Sequence, residues 1–166
     1  MNYRRAFIEN SIVFITIVTQ NRNPILINKI DILKHSINEV ARYYDFEILA
    51  YVILNDHFHF LIKMQDITKY PKIIHSIKYN FKKHVGVATP TYNKFWQNRY
   101  WEHTIRDEND LHRHLDYIHY NSLKHCNIAP KDWEYSSFEK FVSLGYYEKD
   151  WCNFGDKYKI GELNYE

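Results

Sequence analysis

Residues 12–18 read Ile-Val-Phe-Ile-Thr-Ile-Val, β-branched or apolar at nearly every position whichever parity is taken. Successive side chains of a strand point to opposite faces, so a run of this kind belongs to a strand covered on both sides. It is far too short to cross a bilayer. A two-sided strand needs a sheet around it and a layer on each face, and the following residues supply candidates. Asn21-Arg22-Asn23-Pro24 is a turn. From Asp31, the spacing of Leu33, Ile37, Val40 and Tyr44 predicts a helix with one buried stripe. Phe46 to Leu54 and His57 to Met64 read as two strands joined by a short turn at Asn55-Asp56, hence antiparallel neighbours. A second helix opens at Thr68 to Pro71, buries Ile74, Ile77, Phe81 and Val85, and stops at Gly86. Residues 87–94 are a loop, and Phe95 to Ile105 is a fourth extended segment. Asp107 caps a third helix, with Glu108 and Asp110 in its first turn, ending near Cys126-Asn127.

The order strand, helix, strand, strand, helix, strand is two split βαβ halves: an α+β protein with a ferredoxin-like antiparallel sheet (βαββαβ). The third helix is an addition. Residues 1–130 form the domain, and 131–166 are an irregular aromatic tail, with one short helix at Phe138 to Leu144, packed on or near it. In this topology the first and third strands are central, so the third strand is a stiff platform.

That platform carries His57 and His59, which share one face while Phe58 and Phe60 take the other. Two imidazoles on one face can hold a divalent cation whose remaining positions stay open to water or substrate. Paired histidines on a half-buried strand also occur without metal. On the third helix His114, Tyr117, Asn121 and Lys124 form a polar stripe beside an apolar one at Leu111, Leu115 and Ile118. The stripe reads either as a solvated face or as a tyrosine nucleophile with an amide ligand one turn on. On the second helix His75, Lys78, Tyr79 and Lys82, with Lys83 next in line, form a basic face suited to a phosphate backbone. Trp96, Arg99 and the aromatics around them suit stacking on a single strand.

Composition narrows the function. Net charge is only +2, so nucleic-acid binding rests on local patches. Two cysteines fit a reducing compartment and give no disulfide framework. Four glycines, none clustered, leave no phosphate-cradling loop. The expectation is a cytoplasmic protein with no membrane or nucleotide partner.

His57-Phe58-His59, Phe95-Trp96-Gln97 through Arg99-Tyr100-Trp101-Glu102-His103, Asp116-Tyr117-Ile118-His119-Tyr120-Asn121 with Lys124-His125, and Tyr3-Arg4-Arg5 at the start run in one order. With Asp132-Trp133 and Ser136-Ser137-Phe138 in the tail, this array resembles the single-tyrosine HUH transposases, in particular their REP-associated tyrosine transposase branch. The resemblance implies Tyr117 as nucleophile, and His57, His59 and Asn121 as ligands of Mg²⁺ or Mn²⁺. It implies single-stranded or hairpin DNA as substrate, and a 5′-phosphotyrosine intermediate that supports transposition. Arg4, Arg5, Lys78, Lys82, Lys83, Trp96, Arg99 and Lys124 are the expected DNA contacts, on a monomer or homodimer. Ser122-Leu123 replaces the family's Pro-Val, so the helix is expected to continue past Asn121. The alternatives are a domesticated nucleic-acid-binding module without catalysis, another HUH nuclease such as a replication initiator, and a zinc hydrolase recruiting Glu102 or His103.

Overall fold

Four antiparallel strands form one sheet in the order β2-β3-β1-β4. They are β1 (Ile12–Val18), β2 (Glu47–Ile53), β3 (His57–Lys63) and β4 (Trp101–Thr104). This computed structural model describes residues 11–86 and 95–152. Arg4, Arg5, the loop at 87–94 and the end of the tail lie outside the described residues. The helices are α1 (Ile30–Ala41), α2 (Tyr70–Val85), α3 (Glu108–Cys126) and α4 (Phe138–Ser143). The strand order is that of the ferredoxin-like sheet, with β1 and β3 central.

The register divides the sheet into two chemically different faces. Ile17 opposes Phe58, Ile15 opposes Phe60 and Val13 opposes Ile62. These residues pack with Leu33 and Val40 of α1 and Ile73, Ile74, Ile77 and Phe81 of α2 into one core. The other face alternates apolar and polar side chains: Phe14 opposes Leu61, Thr16 opposes His59, and Val18 opposes His57. Because α1 and α2 occupy the first face, the second is left to α3, through Leu115, Tyr117 and Ile118 against Phe14, Ala50, Val52 and Leu61.

Local signals set the helix limits. Asp66 accepts from the Thr68 amide (3.0 Å) ahead of α2, Pro71 sits in the first turn, and Gly86 ends it at φ +73°, where a residue without Cβ is unstrained. Asp107 Oδ1 accepts from the Asp110 amide (2.9 Å) at the start of α3. The helix then runs unbroken through Ser122-Leu123, and Asn127 takes the left-handed cap at φ +56°.

The fourth extended segment is shorter than the sequence suggests. Only residues 101–104 pair with β1, at Val13 to Thr16, and Trp96 makes an isolated bridge to Thr19. The Gln97 amide still donates to the Val18 carbonyl (3.0 Å), and residues 98–100 span the gap between these two attachments. The tail is more ordered than "irregular" implies. Residues 133–137 run along the outer edge of β2, with Tyr135 accepting from the Ile53 amide (2.8 Å) and Ser137 N–H donating to Tyr51 (2.9 Å). They close an otherwise open sheet edge.

Beyond them, Tyr147, Trp151 and Cys152 cover the outward side of α3. His119 is buried there, with Nε2 2.9 Å from Ser137 Oγ and Nδ1 3.2 Å from the Tyr147 hydroxyl. Burial holds its imidazole down to about 3, so it is neutral in the fold. The unfolded chain takes up that proton near pH ~6.5. The folded value lies below the unfolded one, so this stability is complete above pH ~6.5 and is lost as pH falls toward about 3. Between pH 7 and 5 the loss is about 2 kcal/mol. Urea unfolding at the two pH values should show a steeper decline in the wild type than in His119→Asn; equal slopes would contradict the assignment.

Candidate functional site

β3 opens with His57, buried against α3, and its ring meets His59 edge to face at 5.1 Å between centroids. Each ring is held at Nδ1. His57 Nδ1 lies 2.5 Å from Asp56 Oδ1, and His59 Nδ1 lies 2.8 Å from Thr16 Oγ1. Asp56 is also engaged by Arg22 Nη1 at 3.4 Å. Burial pushes the Asp56 carboxyl up, but the hydrogen bond with His57 and the charges of His57 and Arg22 outweigh it, and it ends below its ordinary value.

The polar stripe of α3 faces the sheet. This corrects the solvated-face reading: His114, Tyr117 and Asn121 are buried, and only Lys124 and His125 reach the edge. The cause is the sheet's second face, whose Thr16, His57 and His59 give a polar helix stripe partners that an apolar face would not. Tyr117 is 0% exposed. Its ring lies 5.3 Å from His59 and 5.9 Å from Phe14, and Lys124 Nζ stands 3.4 Å from its hydroxyl. His125 brings a further imidazole to 4.8 Å from His57.

Asn121 Nδ2 donates to the Tyr117 carbonyl at 2.6 Å. A carbonyl only accepts, so the amide orientation is fixed and Oδ1 is the free end. That buried oxygen has no hydrogen-bond partner among the described residues. A buried acceptor in this state is costly unless a cation or donor meets it. With both Nδ1 atoms engaged, Nε2 is the nitrogen each histidine would offer. The donor set of two imidazoles and an amide oxygen suits a divalent cation with open positions.

A cavity of about 350 Å³ adjoins His57, lined by Thr16, Arg22, Gln97, Arg99, Tyr100 and Trp101 among others. Of the expected DNA contacts, Arg99 lies here and Lys124 beside Tyr117. Arg4 and Arg5 lie outside the described residues, and Lys78, Lys82, Lys83 and Trp96 are on or packed against α2. Lys82 and Lys83 lie on α2, across the sheet from the histidines, and Lys83 is exposed. Lys78, half-buried, donates to the Gln97 carbonyl at 2.8 Å, and burial lowers its ammonium. Trp96 is 6% exposed and packs on Phe58, Phe81 and Phe95, with its indole N–H on the Lys78 carbonyl (3.1 Å). Its ring anchors the core and offers no open face for a base. Trp96→Ala should therefore cost about 3–5 kcal/mol of stability, read by denaturant unfolding; a change under ~0.5 kcal/mol would mark it as a surface residue.

Sequence reasoning passed over Thr16, Arg22 and Asp56. The signals were faint: a lone hydroxyl in an apolar strand, and turn residues that read as turn residues. Glu102 and His103 part company, because neighbouring strand positions face opposite ways. His103 Nε2 instead meets Asp110 Oδ2 at 2.7 Å. Burial raises the Asp110 carboxyl, but the His103 hydrogen bond and the Arg106 amide overcome this and hold it low. Burial also lowers His114 next to it. Among the described residues, no helix is long and apolar enough to cross a membrane.

The family model described as "Transposase IS200 like" matches residues 7–121. The REP-associated tyrosine transposase of Escherichia coli K12 is 32% identical, covering 96% of both chains. A Haemophilus influenzae protein provisionally given the same name is 37% identical, covering 90% of this chain and 92% of its own. The solved structure of a REP-associated tyrosine transposase bound to a REP hairpin superposes with a TM-score of 0.81 at 32% identity, covering 91% of this chain and 90% of that one. A Deinococcus radiodurans crystal structure, 19% identical with a TM-score of 0.51, covers 71% of this chain and 95% of its own and shares the fold. The chain thus belongs to the IS200-like transposase family, in its REP-associated tyrosine transposase branch.

Proposed function

We propose that this chain is a metal-dependent single-stranded DNA nuclease and strand transferase acting beside a REP-like hairpin. One observation carries the reading. Tyr117 lies against His59 on a helix whose Asn121 holds a buried acceptor oxygen without a hydrogen-bond partner among the described residues. The hairpin bound by the structural relative supports hairpin DNA as partner here.

His57 Nε2, His59 Nε2 and Asn121 Oδ1 would hold Mg²⁺ or Mn²⁺. Such an ion, when bound, supplies Lewis-acid charge at the scissile phosphate. Asp56 and Thr16 fix the two rings through their Nδ1 atoms. Tyr117 Oη attacks phosphorus as its phenolic proton is lost. The new Tyr117 O–P bond forms as the P–O3′ bond breaks, and the 3′ oxygen leaves as a hydroxyl after taking up a proton. A free phenol is a weak nucleophile near neutral pH, with a pKa of ~10, and the Lys124 ammonium 3.4 Å from the Tyr117 oxygen would offset negative charge there during attack. The phosphodiester energy is retained in the 5′-phosphotyrosine, so a 3′-hydroxyl can reverse the step on another strand and no nucleotide cofactor is needed. Arg22 and Arg99 beside the cavity suit flanking phosphates. Arg4 and Arg5 are proposed contacts outside the described residues. The enzyme would act in the cytoplasm at the nucleoid, as monomer or homodimer.

The burial of Tyr117 favours a second reading, a hairpin-binding protein without cleavage, because the phosphate reaches the phenol only if neighbouring side chains part. The test incubates labelled single-stranded oligonucleotides carrying a repeat hairpin from the source genome with the protein, in Mg²⁺, Mn²⁺ or EDTA. A band shifted on a denaturing gel in metal and absent in EDTA is expected. Tight binding with no such band across several hairpins would favour the second reading.

A further inference from the structure

Two clusters of histidine and carboxylate among the described residues bring three donor atoms within 4.8 Å of one another: His103–Asp110–His114 and His35–Glu39–His84. The first is a closed hydrogen-bond knot. Asp110 Oδ2 takes His103 and the Arg106 amide (3.0 Å), and His114 Nδ1 lies 2.7 Å from its own helix's Asp110 carbonyl.

The second is open. It lies across the sheet from His57 and His59, on the outer surface where α1 meets α2. His35 and Glu39 stand one turn apart on α1, and His84 is in the last turn of α2. Glu39 spans the pair, with Oε2 2.6 Å from His84 Nε2 and Oε1 3.7 Å from His35 Nε2. The two rings meet edge to face at 4.9 Å. All three donors are side-chain tips, and the His35 side chain is 57% exposed.

We propose that His35, Glu39 and His84 form a second divalent-cation site, suited to Zn²⁺ or Ni²⁺, that ties α1 to α2. Two imidazoles and one carboxylate are a donor set that Zn²⁺ and Ni²⁺ favour. Bonds of ~2.0–2.2 Å in a tetrahedron separate neighbouring donors by about 3.3 Å. The separations of 2.6 and 3.7 Å belong to the two Glu39 oxygens, and one donor atom from each residue lies within 4.8 Å of the others, so rotations of these surface side chains would bring the three to that spacing. The hydrogen bond with His84 keeps the Glu39 carboxyl below its usual range, so the oxygen donor is charged at neutral pH. The ion would take the place of the proton between His84 and Glu39, and water would fill the fourth position. Lys83 adds a nearby positive charge, which opposes a cation.

The test titrates Zn²⁺ alone into the full chain by calorimetry and follows thermal unfolding. A His57→Ala background removes one of the histidines proposed at the other site. That protein should retain one bound Zn²⁺ and a rise in Tm. Adding His35→Ala and His84→Ala should abolish both while leaving the circular dichroism unchanged. Glu39→Gln, which keeps the side-chain volume, should weaken binding. Zinc binding and Tm rise unchanged in the triple variant, or no zinc bound by His57→Ala, would overturn the proposal. Neither result bears on whether Tyr117 cleaves DNA.

Discussion

Tyr117→Phe is expected to abolish the covalent protein–DNA band completely while leaving hairpin affinity and stability nearly unchanged. The substitution removes one oxygen and nothing else. The ring keeps its contacts with His59 and Phe14. The lost hydrogen bond from Lys124 is long, at 3.4 Å, and Lys124 lies at the half-exposed edge, where water can take its place. The stability change should stay within about 1 kcal/mol. Cleavage, in contrast, has no substitute nucleophile on the same stripe. A residual band in Tyr117→Phe would direct attention to Tyr120, which lies on the outward side of α3 against the tail.

His57→Ala should reduce adduct formation to the level of Tyr117→Phe, again with hairpin binding retained. The variant deletes one proposed metal ligand, yet the group it leaves behind, the half-buried Asp56, keeps Arg22 as a partner. His59→Ala should lose the same activity at a greater structural cost. It strips Thr16 Oγ1 of its buried partner and opens space beneath Phe14, costing about 1–3 kcal/mol. Adduct yields measured over a Mg²⁺ and Mn²⁺ series, alongside urea unfolding, separate the two effects. Full cleavage by His57→Ala at every metal concentration would remove the metal from the account.

The sheet was readable because its signals are local and redundant. The two-sided apolarity of β1, the Asn55-Asp56 turn and the caps at Asp107 and Gly86 each allow few alternatives. The histidine pair followed from strand parity alone. The orientation of α3 could not be read so easily. A stripe of His114, Tyr117 and Asn121 is polar on any scale, and its burial depends on the sheet offering Thr16, His57 and His59 opposite it, a long-range fact. Trp96 misled for the complementary reason: an aromatic beside amides and a guanidinium resembles a base reader, whereas the neighbouring Phe58, Phe81 and Phe95 make it core. Asp56 was visible only as a turn residue, since its grip on His57 depends on a side-chain rotamer.

The most direct measurement of the central claim is the mass of the attachment site. Wild-type protein is reacted with the hairpin oligonucleotide in Mn²⁺, digested with nuclease and trypsin, and the peptide spanning 114–124 is fragmented. That peptide holds both Tyr117 and Tyr120, so fragmentation must distinguish them. The account predicts a nucleotide 5′-phosphate carried on Tyr117. Attachment at Tyr120, or cleaved DNA with a free 5′-phosphate and no modified peptide, would contradict it.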